Sequence, residues 1–188
     1  MNIFTKNKFE NAVNSLSRQR MTFSNILNET RSYANARYGQ KTIFLSHSHH
    51  DARYVNMTRA FFERLGIDLY VDWADESMPT YTCGYTALKI KEKIRENDFF
   101  ILLATDLALW SKWCNWELGI GDTYKYVSDR LAILPLADDS DNWKGNEYIQ
   151  TYPYIKGPDS SIWDDTPSKY LIHYPDGQER SLLNWLQK

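Results

Sequence analysis

The chain has 188 residues, 43% hydrophobic and 15% aromatic, with a formal net charge of −2. This length and apolar fraction predict one domain with a sizeable core, and the near-neutral charge argues against a nucleic-acid-binding protein, which is usually basic. Two cysteines, Cys83 and Cys114, exclude a disulfide framework and favour a reducing cytoplasm, and the longest apolar run, residues 99–104, is too short to cross a membrane.

The first 40 residues are predicted to form a helical arm that packs on the domain. Phe9 and Val13 lie four residues apart within a helix predicted from about Lys8 to Arg37. The basic residues of this stretch are interpreted as its solvated face rather than as a nucleic-acid or membrane contact. The chain is therefore divided into an arm, residues 1–40, and a domain, residues 41–188.

Strand and helix patterns alternate from residue 41 onward. Such alternation predicts βαβ units with right-handed crossovers, and hence an α/β fold with a five-stranded parallel sheet between helices. The segment 137–168, rich in acidic residues and prolines, is expected to be loop. The predicted strands are 42–46, 67–71, 98–104, 131–136 and 170–174, and the predicted helices are 51–65, 85–96, about 111–126 and 181–186.

Several side chains are assigned to structural positions from their type and spacing. Leu88 and Ile94 are expected to face the core from the helix at 85–96, and Pro135 is expected to close the fourth strand. Trp110, placed in a loop, and Trp116 are interpreted as core residues, and Cys114 as a small buried one.

A binding site is expected beyond the carboxyl ends of the strands, where sites form in open parallel sheets. Three segments meet there in this topology: residues 46–51, 72–84 and 105–117. Neither a Gly-x-Gly-x-x-Gly motif after the first strand nor a P-loop motif is present, so neither phosphate-binding loop is supported.

The histidines after the first strand raise one alternative. Residues 46–51, SHSHHD, resemble the metal box of the metallo-β-lactamase superfamily, with His47, His49 and Asp51 in the first three ligand positions. Ala52 stands where the fourth ligand is expected, and zinc normally takes three or four protein ligands. A metal-dependent hydrolase is therefore a third alternative with an incomplete ligand set, and no metal is expected.

The most informative segment is residues 111–118, SKWCNWEL. It places Glu117 four residues after Trp113, on one face of a probable helix. An aromatic ring beside a carboxylate could hold a flat cationic ring and act on the sugar attached to it.

Three separated segments together resemble Toll/interleukin-1 receptor (TIR) domains. Residues 43–47, IFLSH, are similar to the first box of that family, which reads (I/V)F(I/L)S; the loop after the second strand resembles its BB loop. Residues 111–118 are similar to its S-x-W-C-x-x-E-L box. The resemblance covers about residues 41–135 and implies a flavodoxin-like, three-layer α/β fold.

The resemblance also implies an activity. Enzymatic TIR domains cleave NAD at the nicotinamide–ribose bond, and some cyclise the product. The residue matching Glu117 is catalytic in them, and the aromatic residue matching Trp113 contacts nicotinamide. Small bacterial members of the antiphage Thoeris type make a nucleotide signal for a separate effector. The resemblance therefore implies a cytoplasmic enzyme that uses NAD as its substrate, without a cofactor. Its expected product is an ADP-ribose-type nucleotide, preferably cyclic, that serves as a signal in bacterial antiphage immunity.

The chemistry fits one carboxylate, because nicotinamide in NAD is already a cationic leaving group. Glu117, ionised, is expected to stabilise the oxocarbenium character that develops on the ribose. Asp72 is expected to bind ribose hydroxyls and His47 to line the adenine or phosphate side; Ser46 and Trp73 complete the predicted substrate-binding set.

The main alternative is a TIR domain that assembles with other copies and catalyses nothing. Retention of Glu117 favours the enzyme, because scaffolding does not require an acid there. In the family, cleavage often requires head-to-tail assembly, with the BB loop of one copy closing the site of the next, so self-association is expected. The product is left open: linear ADP-ribose, a cyclic isomer or a base-exchange adduct.

Overall fold

A mostly parallel β-sheet runs through the computed structural model, which describes residues 4–10, 41–75, 78–79, 83–138, 143, 145–157 and 169–188. The strands in these residues are β1 (Phe4–Thr5), β2 (Thr42–Ser46), β3 (Asp68–Tyr70), β4 (Phe99–Ala104), β5 (Leu131–Ala137), β6 (Tyr154–Lys156), β7 (Leu171–His173) and β8 (Glu179–Ser181). Their order is β3-β2-β4-β5-β6-β7-β8, with β1 beside the end of β5. All neighbours from β3 to β6 run parallel, and β7 and β8 continue antiparallel.

Helices cover both faces of the sheet. They are α1 (Ala52–Arg64), α2 (Gly84–Glu96), α3 (Asp106–Trp110), α4 (Lys112–Gly121) and α5 (Leu182–Trp185). A π-helical turn, Asp122–Tyr126, continues α4, and short 3₁₀ helices span His49–Asp51, Asp72–Ala74 and Glu147–Thr151. None of the helices within the described ranges is both long and apolar enough to cross a membrane.

Strand β4 divides the core into two layers, because alternate side chains of a strand point to opposite faces. Phe99, Ile101 and Leu103 belong to one buried cluster, and Phe100 and Leu102 belong to the other. Every residue of β4 is fully buried, as expected for a central strand with helices on both sides. This arrangement confirms the predicted α/β class.

The far edge of the sheet differs from the prediction. The fifth parallel strand is β6, which lies in the segment expected to be loop, and β7, predicted as that strand, runs antiparallel to it. Strand β6 pairs with β5 at one position, Ile133 opposite Tyr154. It has only three residues, which is too short for a recognisable alternation of apolar and polar side chains. The other four strands of this parallel set, β2 to β5, are joined in chain order by helices, as the βαβ prediction requires.

Two side-chain assignments were also wrong. Pro135 does not end β5; it pairs with Ala104, the last residue of β4, and β5 continues beside β1. Leu88 is 61% exposed, because Thr86, Ile90 and Ile94 form the buried stripe of α2 instead. That stripe has the spacing of a helix face and includes Ile94, as predicted, whereas Leu88 lies two positions from both Thr86 and Ile90.

Residues 4–10 pack on the domain core. Strand β1 pairs parallel with β5, residues 6–10 are helical, and Phe4 and Phe9 are both buried. Most of the helix predicted from Lys8 to Arg37 lies outside the described residues. The boundary between arm and domain therefore stays a prediction.

Candidate active site

Three connections converge at the carboxyl ends of the parallel strands, as the topology predicts. The connection after β2 carries the histidines, the 3₁₀ turn after β3 carries Asp72, and α3 and α4 follow β4. The Thr105 hydroxyl donates to Asp51 Oδ2 at 2.5 Å and accepts from the Ala108 amide at 3.0 Å. This buried contact joins the connection after β2 to the start of α3.

A cavity of about 400 Å³ lies between these connections. Its wall combines histidines, two acidic residues and an apolar side with two tryptophans, a composition typical of ligand sites. The lining residues are His47, Ser48, His49, His50, Asp72, Thr86, Ile90, Leu107, Trp110, Ser111, Trp113 and Glu117.

Helix α4 places Glu117 at the bottom of this cavity. The Ser111 hydroxyl caps the helix by accepting from the Cys114 amide at 3.3 Å. At the other end, a Cβ on Gly121 would lie 2.9 Å from the Phe100 ring, so the helix approaches the sheet closely there. The cap fixes where α4 begins, and the close approach at Gly121 brings its last turn against the sheet.

The carboxyl group of Glu117 is nearly out of contact with solvent. The residue is 6% exposed, and its Oε2 accepts a 2.6 Å hydrogen bond from the hydroxyl of Ser46, the last residue of β2. Burial raises the pKa of Glu117 to about 8, and the hydrogen bond from Ser46 opposes that rise. A carboxyl group tuned toward neutral pH in a cleft is a candidate for chemistry.

The tryptophans around Glu117 have different environments. Trp113 and Trp116 form an edge-to-face pair with centroids 5.4 Å apart and are 37% and 39% exposed, but Trp113 alone of the two lines the cavity. Trp110, predicted as a core residue in a loop, ends α3, is 88% exposed and lines the cavity. Trp116 was likewise wrongly assigned to the core.

Two histidines flank the carboxylate of Asp72. His49 Nε2 lies 3.4 Å from Asp72 Oδ2, and His47 Nε2 lies 3.6 Å from Asp72 Oδ1. The contact with Asp72 raises the pKa of the exposed His49, whereas burial lowers the pKa of His47. The Trp73 amide also donates to Asp72 Oδ1, at 2.8 Å.

The structure brings most of the predicted site residues together. Glu117, Trp113, His47 and Asp72 line the cavity, and Ser46 lies behind it on Glu117. Trp73 is not among the lining residues; it is half exposed, with its ring 6.2 Å from that of His47.

Sequence reasoning missed the apolar wall formed by Ile90, Leu107 and Trp110. The spacing of Leu107 and Trp110, three residues apart after a buried strand, was the available signal for a short helix facing the cleft.

The geometry does not support the alternative of a metal-dependent hydrolase that uses His47, His49 and Asp51. The carboxylate of Asp51 accepts from Thr105, and His49 contacts Asp72. Across the ranges that the structure describes, three or more His, Cys, Asp and Glu side chains nowhere come together as a ligand set. Cys114 is buried, and burial raises the pKa of its thiol to about 11, as fits a packing residue.

Comparison with known proteins gives one family. A model described as TIR domain matches residues 43–168. The "Probable 3' cyclic ADP-D-ribose synthase ThsB'" of Bacillus cereus (strain MSX-D12) is 33% identical over 151 residues, covering 78% of this chain and 75% of that protein. A Cytobacillus dafuensis protein, named provisionally as cyclic ADP-D-ribose synthase TIR2, is 26% identical over 102 residues, covering 53% of this chain and 26% of that protein.

Proposed function

Because the chain belongs to the TIR domain family, we propose that it cleaves the nicotinamide–ribose bond of NAD and closes the remaining ADP-ribose into a cyclic nucleotide. The observation that carries this proposal is the buried carboxyl group of Glu117 at the bottom of the cavity, one helical turn from the exposed ring of Trp113. The names of both relatives, as cyclic ADP-D-ribose synthases, support the same reaction.

Glu117 acts on the ribose in this mechanism. As the bond to nicotinamide breaks, positive charge develops at the anomeric carbon, and an ionised carboxylate beside it stabilises that charge. Water is largely excluded at this depth, which strengthens the interaction. Ser46 positions the carboxyl group through its 2.6 Å hydrogen bond.

Aromatic rings hold the leaving group. Trp113 lies one turn before Glu117, so its ring can stack on the cationic pyridinium, an interaction worth about 1 kcal/mol. Trp110 extends the same wall of the cavity. Because nicotinamide departs as a neutral molecule, the cleavage needs no strong general acid, and we propose that the enzyme requires no cofactor.

The name of the first relative supports a class of product. Its name specifies a 3′ cyclic ADP-D-ribose, and we propose a product of that class here. We further propose that the product is a signal in antiphage defence, read by a separate effector. Cys83 and Cys114 are free thiols, which supports action in the cytoplasm.

Self-association is also part of the proposal. Large apolar side chains are exposed around the mouth of the cavity and on α2, including Trp110, Leu107 and Leu88. Such side chains are unusual on a monomer's surface when they cluster, and a second copy could cover them. Activity that rises more steeply than protein concentration would support assembly.

The test is an NAD turnover assay. Purified protein at several concentrations, with a crowding agent, is incubated with NAD, and nicotinamide and nucleotide products are followed by chromatography and mass spectrometry. We expect Glu117→Gln to reduce nicotinamide release by about a hundredfold or more, because the amide cannot stabilise the developing charge. Glu96→Gln, on the exposed end of α2, is the matched control and should retain activity.

Unchanged turnover in Glu117→Gln would contradict the assignment of this residue. Absence of turnover in the unmodified protein, under conditions in which it assembles, would favour the alternative of an interaction module.

A further inference from the structure

The imidazole of His47 has a defined tautomer. Its Nδ1 lies 2.9 Å from the carbonyl oxygen of Leu45. A carbonyl oxygen can only accept, so Nδ1 carries a proton and donates it. In the neutral ring the lone pair then resides on Nε2, the nitrogen farther from the backbone.

That lone pair is buried and unused. His47 is 7% exposed and lines the cavity, and its Nε2 has no hydrogen-bond partner within the part of the chain that the structure describes. The nearest acidic atom, Asp72 Oδ1, is 3.6 Å away, and an ionised carboxylate has no proton to donate. A buried polar atom without a partner costs about 1–3 kcal/mol. Because His47 lines the cavity, a ligand that supplies a donor there would remove this cost.

The surroundings of His47 suit proton transfer. Burial lowers its pKa, so the ring is neutral near pH 7 and can accept a proton. Once protonated, the ring would be stabilised by the Asp72 carboxylate beside Nε2 and by the Leu45 carbonyl. A base that is neutral at rest and stabilised when charged is the arrangement that general-base catalysis requires.

We propose that His47 is the general base of the ring-closing step, an inference that rests on the proposed function. The bond between the anomeric carbon and the nicotinamide nitrogen breaks, and its electron pair leaves with nicotinamide. A hydroxyl oxygen of the adenosine ribose then bonds to that carbon, and its proton passes to His47 Nε2. The imidazolium later releases the proton to solvent, so the products are neutral nicotinamide, the cyclic nucleotide and one proton.

This role separates His47 from Glu117. Glu117 stabilises the charge that forms when nicotinamide leaves, a step common to the linear and cyclic products. His47 acts on the hydroxyl that closes the ring, so its loss should lower the cyclic product relative to the linear one. Formation of the linear product by attack of water should depend less on His47, because a water molecule is not tethered and can approach the cation without one fixed base.

The experiment measures the ratio of cyclic to linear product at equal NAD consumption. Two variants remove the base. His47→Asn keeps an amide donor near the Leu45 carbonyl, and His47→Gln keeps an acceptor near the position of Nε2. His173→Asn is the matched control, because it removes an imidazole that is outside the cavity lining and pairs with Glu179. We expect both His47 variants to lower the ratio by at least about tenfold and His173→Asn to change it by less than about twofold.

The outcomes are distinguishable. An unchanged ratio in a folded His47 variant would overturn the proposal, as would an equal fall in His173→Asn. Two His47 variants with side chains of different length are used, so that the test still stands if one of them fails to fold. Cyclic product whose ratio to linear product is unchanged in the His47 variants would contradict this inference alone. Exclusively linear product from the unmodified protein would contradict the proposed cyclisation as well, and failure to consume NAD would contradict the proposed function from its first step.

Discussion

At the scale of single residues, the most consequential property is the proton affinity of Glu117. With a pKa of about 8, the carboxyl group is mostly protonated at neutral pH in the unliganded protein. The cleavage proposed above needs the ionised form. A tenfold change in proton affinity corresponds to about 1.4 kcal/mol, so the cationic ring of NAD can favour ionisation through ordinary charge attraction.

This property predicts the pH dependence of activity. Because kcat/KM reports the free enzyme, it should rise up to about tenfold per pH unit below pH 8 and level off above it. The midpoint for kcat should lie at lower pH, since bound NAD favours the carboxylate. The measurement is nicotinamide release from pH 5.5 to 9.5 at low and saturating NAD; a level kcat/KM between pH 6 and 8 would contradict the assignment.

At the scale of elements, helix α4 presents two tryptophans of nearly equal exposure. Trp113 and Trp116 pack edge to face, yet Trp113 alone of the two lines the cavity. If stacking on the pyridinium is worth about 1 kcal/mol, Trp113→Ala should lower kcat/KM for NAD by about fivefold or more. Trp116→Ala removes the same type of side chain from the same helix and should have a smaller effect. Equal losses in the two variants would indicate that the pair acts structurally.

The elements also show how far sequence reasoning reaches. Strand β4 and helix α4 were predicted correctly because a run of six apolar residues and a capped amphipathic segment are long patterns. Strand β6 and helix α3 were missed because three and five residues carry too little periodicity. Such short elements are stabilised by contacts with other parts of the fold, and the local sequence pattern gives no information about those contacts.

The candidate site was predictable in part for similar reasons. Glu117 and Trp113 lie in one contiguous segment that a motif can identify. Trp110 was assigned to the core because an apolar residue type is equally compatible with a core and with a cleft. The tautomer of His47 depends on a backbone carbonyl two residues earlier, and the pKa of Glu117 depends on burial; neither can be read from residue types.

At the scale of the whole molecule, the core extends beyond the segment that matches the family. Phe4 is 4% exposed, its ring stacks on Tyr170 at 6.0 Å, and both belong to the same buried cluster as Trp185. These residues lie outside residues 43–168, so flanking segments on both sides complete the fold. A fragment limited to the matched residues would expose this cluster.

This arrangement predicts a large effect on stability. Phe4→Ala should lower the free energy of unfolding by about 3–5 kcal/mol, because it removes a buried ring and leaves a cavity. Leu88→Ala, at a position 61% exposed, is the control and should change it by less than about 0.5 kcal/mol. Urea unfolding of the full chain measures both; an effect of Phe4→Ala as small as the control would place β1 outside the cooperative core.

The Thr105 hydroxyl, described above as a link between two connections, also determines how a dinucleotide can reach the cavity. Because it bridges Asp51 and the start of α3, the wall that carries the histidines and the wall that carries Trp110 must move together. Spreading them apart would break the buried hydrogen bond from Thr105 to Asp51. The rim formed by His49 and Asp72 is different, since His49 is mostly in water and rotates at little cost. We therefore expect substrate and product to enter and leave across that rim, while the distance between the two joined walls stays constant.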